Sequence, residues 1–306
     1  MPHRCGYEPL GTLIVTIAVT VIEVSLITSS TFGGQGGVTL ARDTVFSVIM
    51  IVCNGLVGLC LLLGGLRYRE QEFSEQGANA YLSVLVVLSG LTLVLPNYTT
   101  TLTGPVFSPA QLGFVSGLTI ALYLVFLYIQ TVHHRDYFVS NGAGHGERGT
   151  QHGSRRRGLV ASGVWLVLAL LGVILLAKKL TAVAVTGLAA LGAPAGVAGV
   201  LLATLVLLPE VGIALGAARR NDLQRSINAA LGSSLATIGL TIPAVAAVTL
   251  VLHQQLVLGL EPNDVVLLLL TFALSFLSFG MGRTNVLMGF VHLVMFAAFL
   301  LLTLLP

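Results

Sequence analysis

"LLPEVGIALGAARRNDLQRSINAALGSSLATIGLTIPAVA", residues 207–246, decides how this chain folds. It is two apolar runs separated by a short polar break, "ARRND" at 218–222, and the first run carries one carboxylate, Glu210, directly after Pro209. A second carboxylate sits in the same setting near the other end of the chain: Glu23 in "TIAVTVIEVSLITSS", residues 16–30. A charge at the centre of a membrane helix costs about 2.5–3.5 kcal/mol even on a lenient insertion scale. Each glutamate is therefore a site residue by default, and a neutral acid packed against a neighbouring helix is the alternative.

The composition requires a membrane. The chain has 306 residues, of which 55% are hydrophobic and 9% charged, with a mean hydropathy of +0.94. Soluble domains carry about 25% charged residues. Long apolar runs rather than short alternating ones indicate helices and exclude a barrel. The first ten residues lead straight into an apolar helix with no short hydrophobic core and small-residue cleavage site, so no signal peptide is expected. Cys5, Cys53 and Cys60 form no CxxC pair, which argues against a disulfide framework and against zinc.

Spans of about 20 residues are expected near 11–31, 44–66, 79–96, 109–131, 158–178, 190–217, 224–251, 263–281 and 285–305. The polar interval 132–157, with "HHRD", "GHGER" and "QHGSRRR", reads as a flexible basic linker between two halves, 1–131 and 158–306. Threading the chain through these nine spans puts twelve of the fifteen Lys and Arg on the side of the N-terminus and leaves Arg42, Lys178 and Lys179 on the other. The arginine-rich side is then cytoplasmic, with both the N-terminus and the linker there.

The two glutamate helices run in opposite senses under this threading. The spans that follow them also correspond: "DTVFSVIMIVCNGLVGLCLLLGG" (43–65) and "DLQRSINAALGSSLATIGLTIPA" (222–244) align without gaps. They share Asp43 with Asp222, Ser47 with Ser226, Leu56 with Leu235 and Leu61 with Leu240. The pattern is an inverted-topology repeat, the architecture of secondary transporters, whose sites lie near the midplane where interrupted helices face each other. Pro209 removes a backbone donor and frees a carbonyl one turn earlier. Carboxylates and carbonyls are hard ligands suited to Ca²⁺, Na⁺ or K⁺. Two carboxylates meeting at low dielectric repel, so at least one holds a proton when no cation is bound. Proton and cation compete for the same oxygens, and that competition is the coupling of an antiporter.

At these residues the chain resembles the calcium/proton exchanger (CAX) family of the cation/Ca²⁺ exchanger superfamily, in its bacterial ChaA-like branch of Ca²⁺/H⁺ and Na⁺/K⁺/H⁺ antiporters. The likeness runs through "EPLGTLIVTIAVTVIEVSLI", "TLARDTVFSVIMIVCNGLVGLCLLLGGLRYREQEF", the 207–246 stretch, and "GRTNVLMGFVHLVMFAAFLL". The resemblance implies an all-α polytopic fold of two inverted repeats in a bacterial inner membrane. It implies alternating access, with cation export against proton import. Glu23 and Glu210 fall on the family's two acidic positions, as the residues that would hold both cation and proton. Asn54 and Ser233 fall on its paired polar positions, and Ser234 follows in "GSS". The transported cations and protons are cargo; no cofactor and no nucleic-acid partner are implied, and the other partner is the lipid bilayer.

Three departures stand out. The asparagine that precedes each glutamate in the family's "GNAxE" is replaced by Thr20 and Leu207, and a third-helix asparagine by Gly58. A thinner oxygen shell keeps a monovalent Na⁺ or K⁺/proton antiporter as the alternative. The chain also starts at the loop before the first glutamate helix, so the first repeat is expected to lack its opening helix, with an inactive scaffold as the other consequence.

Enzyme chemistry is not expected, because HExxH and GxSxG are absent. Asp43 and Asp222, beside Arg42 and Arg220, read as caps or interface ion pairs. His292 reads as a packing histidine, and "GRTN", 282–285, as a cytoplasmic turn.

Overall fold

The computed structural model describes residues 20–28, 39–138, 155–280 and 282–305. Arg4, Cys5, the first part of the span expected at 11–31 and most of the 132–157 linker lie outside the described residues. Among the described residues nine helices follow in chain order: α1 (20–28), α2 (Leu40–Tyr68), α3 (Glu75–Tyr98), α4 (Pro109–His133), α5 (Arg155–Ala190), α6 (Ala195–Ala218), α7 (Leu223–Val251), α8 (Pro262–Phe279) and α9 (Val286–Leu304). Each falls on one expected span, α1 on residues 20–28 of the one expected at 11–31. Seven of them, α2 to α4 and α6 to α9, are long and apolar enough to cross a membrane. The protein is an integral membrane protein.

Side-chain caps fix where several of these helices begin. Ser74 accepts from the Gly77 amide ahead of α3, and Ser108 and Gln111 form a reciprocal capping box at α4. Asp222 accepts from Arg225 N at α7, and Asn285 from Met288 N at α9. Asp43 is not a cap: its carboxylate pairs with Arg42 Nε at 2.8 Å.

Burial singles out α2 as the central helix. Its apolar window is 89% buried, against 17% for α9. The turns Leu40–Met50 lie along α6, and Val57–Tyr68 lie along α9. In the other direction α7 lies along α3 and α4, so the two halves interlock. Two glycines permit the closest approaches. A Cβ on Gly289 of α9 would stand 2.7 Å from the Leu62 amide nitrogen, and one on Gly199 of α6 would stand 2.7 Å from the Asp43 carbonyl carbon. Small residues at such crossings let backbones meet.

Several helices contain a π segment, in which one extra residue is accommodated: Ile51–Leu56 in α2, Gly90–Val94 in α3, Ile129–His133 in α4 and Thr237–Thr241 in α7. Such segments gather at functional positions.

Three expectations are corrected. Lys178 and Lys179 are not in a loop but inside α5, whose 36 residues span about 54 Å. The helix runs on through Gly187 and turns only at Gly192, at φ 68°, where the Ala193 amide closes back on the Leu188 carbonyl at 3.0 Å and Pro194 follows. Residues 282–285 are not a simple turn: Arg283–Asn285 forms β2, antiparallel to β1 (Glu70–Glu72), with Gln71 opposite Thr284. Finally, α6 runs through Pro209 without interruption. The proline deprives the Leu205 carbonyl of its helical donor while the helix axis continues.

Candidate cation site

Glu23 of α1 is 2% exposed. Its Oε2 accepts a hydrogen bond from Thr241 Oγ1 at 3.0 Å, and the Thr237 hydroxyl faces the same carboxyl group. Thr237 and Thr241 are the first and last residues of the α7 π segment. Spaced four apart, they turn both hydroxyls toward one side of the helix. Glu23 is thus held by the second half of the chain, although it belongs to the first.

Glu210 lies on α6, partly buried, and lies near enough for its charge to act on Glu23. The Ser233 hydroxyl of α7 faces its carboxyl group. Each glutamate keeps one buried oxygen without a hydrogen-bond partner among the described residues: Oε1 of Glu23 and Oε2 of Glu210. Ser234 Oγ is likewise fully buried and unpartnered. Buried oxygens are ordinarily satisfied. The two orphaned carboxylate oxygens, on α1 and α6, are what a cation or a proton would satisfy. No group of three or more His, Cys, Asp or Glu able to hold a metal converges among the described residues. The shell is therefore two carboxylates plus neutral hydroxyls, a donor set for hard cations rather than for zinc or copper.

Of the five residues named from sequence, Glu23, Glu210 and Ser233 come together around α7, and Ser234 is buried beside Ser233 on the same helix. Asn54 does not join them. Its amide Nδ2 donates to Thr271 Oγ1 of α8 at 2.8 Å, and its Oδ1 lies 3.3 Å from His292 Nδ1 of α9. Asn54 faces the last two helices instead. The reading of His292 as a packing histidine agrees with its full burial and with partners on both ring nitrogens. Sequence reasoning missed Thr237 and Thr241. The available signal was a pair of threonines four apart in "ATIGLTIP", just before Pro243.

Set against known proteins, the chain matches the family model described as "Sodium/calcium exchanger protein" over residues 5–132 and 161–305. It belongs to the sodium/calcium exchanger protein family. Over 300 residues it is 46% identical to "Putative ionic transporter y4hA" of Sinorhizobium fredii, covering 98% of this chain and 81% of the relative. It is 37% identical over 303 residues to "Sodium-potassium/proton antiporter ChaA" of Escherichia coli, covering 98% of this chain and 82% of that one. Among solved structures, native YfkE superposes with a TM-score of 0.72 at 18% identity, over 97% of this chain and 84% of YfkE. The sodium-calcium exchanger NCX_Mj superposes with a TM-score of 0.60 at 16% identity, over 96% and 86%. These structures establish the cation/Ca²⁺ exchanger fold. Family membership makes the chain a transporter of inorganic cations.

Proposed function

We propose that the chain is a secondary cation/proton antiporter that exports Ca²⁺, or Na⁺ or K⁺, against H⁺ through one alternately exposed site centred on Glu23 and Glu210. The observation that carries this reading is the pair of carboxylates on α1 and α6, each with one buried, unpartnered oxygen, and flanked by the hydroxyls of Thr237, Thr241 and Ser233. A proton or a cation satisfies those oxygens, and loading one displaces the other. Opposite orientation of the two glutamate helices supplies the second half of the cycle, because the same oxygens can face either side when one half rocks against the other. The Thr241 hydroxyl bonded to Glu23 holds that carboxyl group in place in both states.

A hydroxyl-rich shell with only two charges suits monovalent ions as well as Ca²⁺, and the relative named sodium-potassium/proton antiporter makes Na⁺ and K⁺ cargo the second reading. The test uses inside-out vesicles acidified within. Addition of Ca²⁺, Na⁺ or K⁺ dissipates the pH gradient, and the panel ranks the ions. A gradient indifferent to all three sinks the antiport reading. Competition fixes the sign of the pH response: acidifying the loading side fills the carboxylates with protons and raises the cation concentration needed for half-maximal flux.

A further inference from the structure

The α2 π segment redirects a backbone amide away from its helical acceptor. In an α-helix the Val57 amide would bond the Cys53 carbonyl. Here it reaches back to Val52, and also to Asn54, so the Cys53 oxygen loses its helical donor. The His292 ring meets the same segment from α9: its Nδ1 lies 3.3 Å from Asn54 Oδ1, and its Nε2 lies 2.9 Å from Ser278 Oγ of α8.

The partners settle the tautomer. Asn54 Nδ2 is engaged as a donor to Thr271 Oγ1 at 2.8 Å, so Oδ1 is the acceptor end that faces the ring. A carbonyl accepts only. Asn54 Oδ1 therefore requires Nδ1 to carry the hydrogen, which leaves Nε2 to accept from the Ser278 hydroxyl. Asn54, Thr271 and His292 are all fully buried.

We infer that His292 is a positioning residue: its Nδ1–H donates to Asn54 Oδ1 inside the π segment and so holds α2 in that register. The consequence reaches the site through packing. The turns Leu40–Met50, just before the π segment, lie along α6, the helix that carries Glu210, and at Gly199 the two backbones meet with no room for a Cβ. Moving the extra residue along α2 would rotate these turns against α6. The transport side of this inference rests on the antiport reading above; its structural side does not.

Two substitutions of the same residue separate the roles of the two nitrogens. An asparagine places its amide where Nδ1 was, and a glutamine places its amide where Nε2 was. His292→Asn keeps amide hydrogen exchange at Ile51–Leu56 and maximal flux within about threefold of wild type. His292→Gln speeds exchange there and lowers maximal flux by about tenfold each, as loss of a buried hydrogen bond implies. In both, the cation concentration at half-maximal flux and the pH profile stay put. Ser278→Ala, which removes only the Nε2 partner, resembles wild type in both readouts. The inference is overturned if glutamine protects Ile51–Leu56 as well as asparagine does, or if Ser278→Ala is as impaired as His292→Gln. A shift in half-saturation makes His292 part of the cation shell, and a flattened pH profile makes it a proton carrier; either also overturns the inference. Hydrogen exchange needs no transport, so the asparagine–glutamine difference in a protein that moves no cation supports the positioning role and sinks only the antiport reading.

Discussion

The two glutamates occupy matched places in the repeat but have different surroundings. Glu23 is sealed in and faces two threonine hydroxyls from the opposite half, whereas Glu210 is partly exposed and faces one serine. The gap-free alignment of 43–65 with 222–244 explains part of the imbalance, since it sets Gly58 at the place of Thr237 and Leu62 at that of Thr241. The helix α2 therefore has no threonine pair to offer. Asn54 and Ser233 diverge in the same way: they align, yet one turns to α8 and α9 and the other to Glu210. Backbone symmetry brings the two halves together, and the chemistry is shared out unequally between them.

The largest effect comes from removing either carboxylate. Glu23→Gln or Glu210→Gln keeps the size and deletes the titratable charge, and proton-coupled flux in proteoliposomes falls at least about 100-fold, an amount equivalent to roughly 3 kcal/mol. A Glu210→Gln protein that still exchanges cations for protons with unchanged pH dependence would leave Glu23 acting alone and end the two-carboxylate picture. Next come the hydroxyls, which sharpen the inequality. Thr241→Val removes a bond to a carboxyl group and raises the cation concentration for half-maximal flux about tenfold, since hydrogen bonds to charged groups are worth about 1.5–3 kcal/mol. Ser233→Ala raises it only about threefold. Equal effects would mean that the two half-sites are equivalent in function despite their surroundings. Asn54→Ala should lower thermal stability by about 1–3 kcal/mol, because His292 and Thr271 lose a buried partner, while half-saturation is unchanged. The smallest effect is expected at β1–β2. Arg283 and Glu72 pair at 3.0 Å with both side chains well exposed, and such pairs are worth about 0–1 kcal/mol. Glu72→Gln should leave melting temperature and flux within error.

Much of this arrangement was legible in the residues. Long apolar runs, two carboxylates within them and a gap-free match between 43–65 and 222–244 point to the helices and the acidic pair. What was not legible depends on rotation about helix axes. A π segment adds one residue to a turn and rotates everything beyond it, so spacing no longer reports which face a side chain takes. Asn54, placed beside the glutamates by the resemblance, instead contacts α8 and α9 from its π segment, and Thr237 and Thr241 were passed over. The boundary of α5 was misread for another reason. Hydropathy treats a lysine pair as the edge of a membrane, whereas the backbone stops only at Gly192 and Pro194.

The length of α5 makes the bilayer itself a mechanical input. At about 54 Å the helix is far longer than the roughly 30 Å hydrocarbon layer, and its far end is anchored where Val185 and Leu188 pack on Leu40 and Leu202. A helix that overshoots its membrane answers a change in thickness by changing tilt. With one end pinned, the arginine-bearing end must take up the swing. Four residues, 191–194, separate α5 from α6, so the swing bears on the helix that carries Glu210. Lipid chain length would then tune turnover by tilting α5 against the helix that carries Glu210.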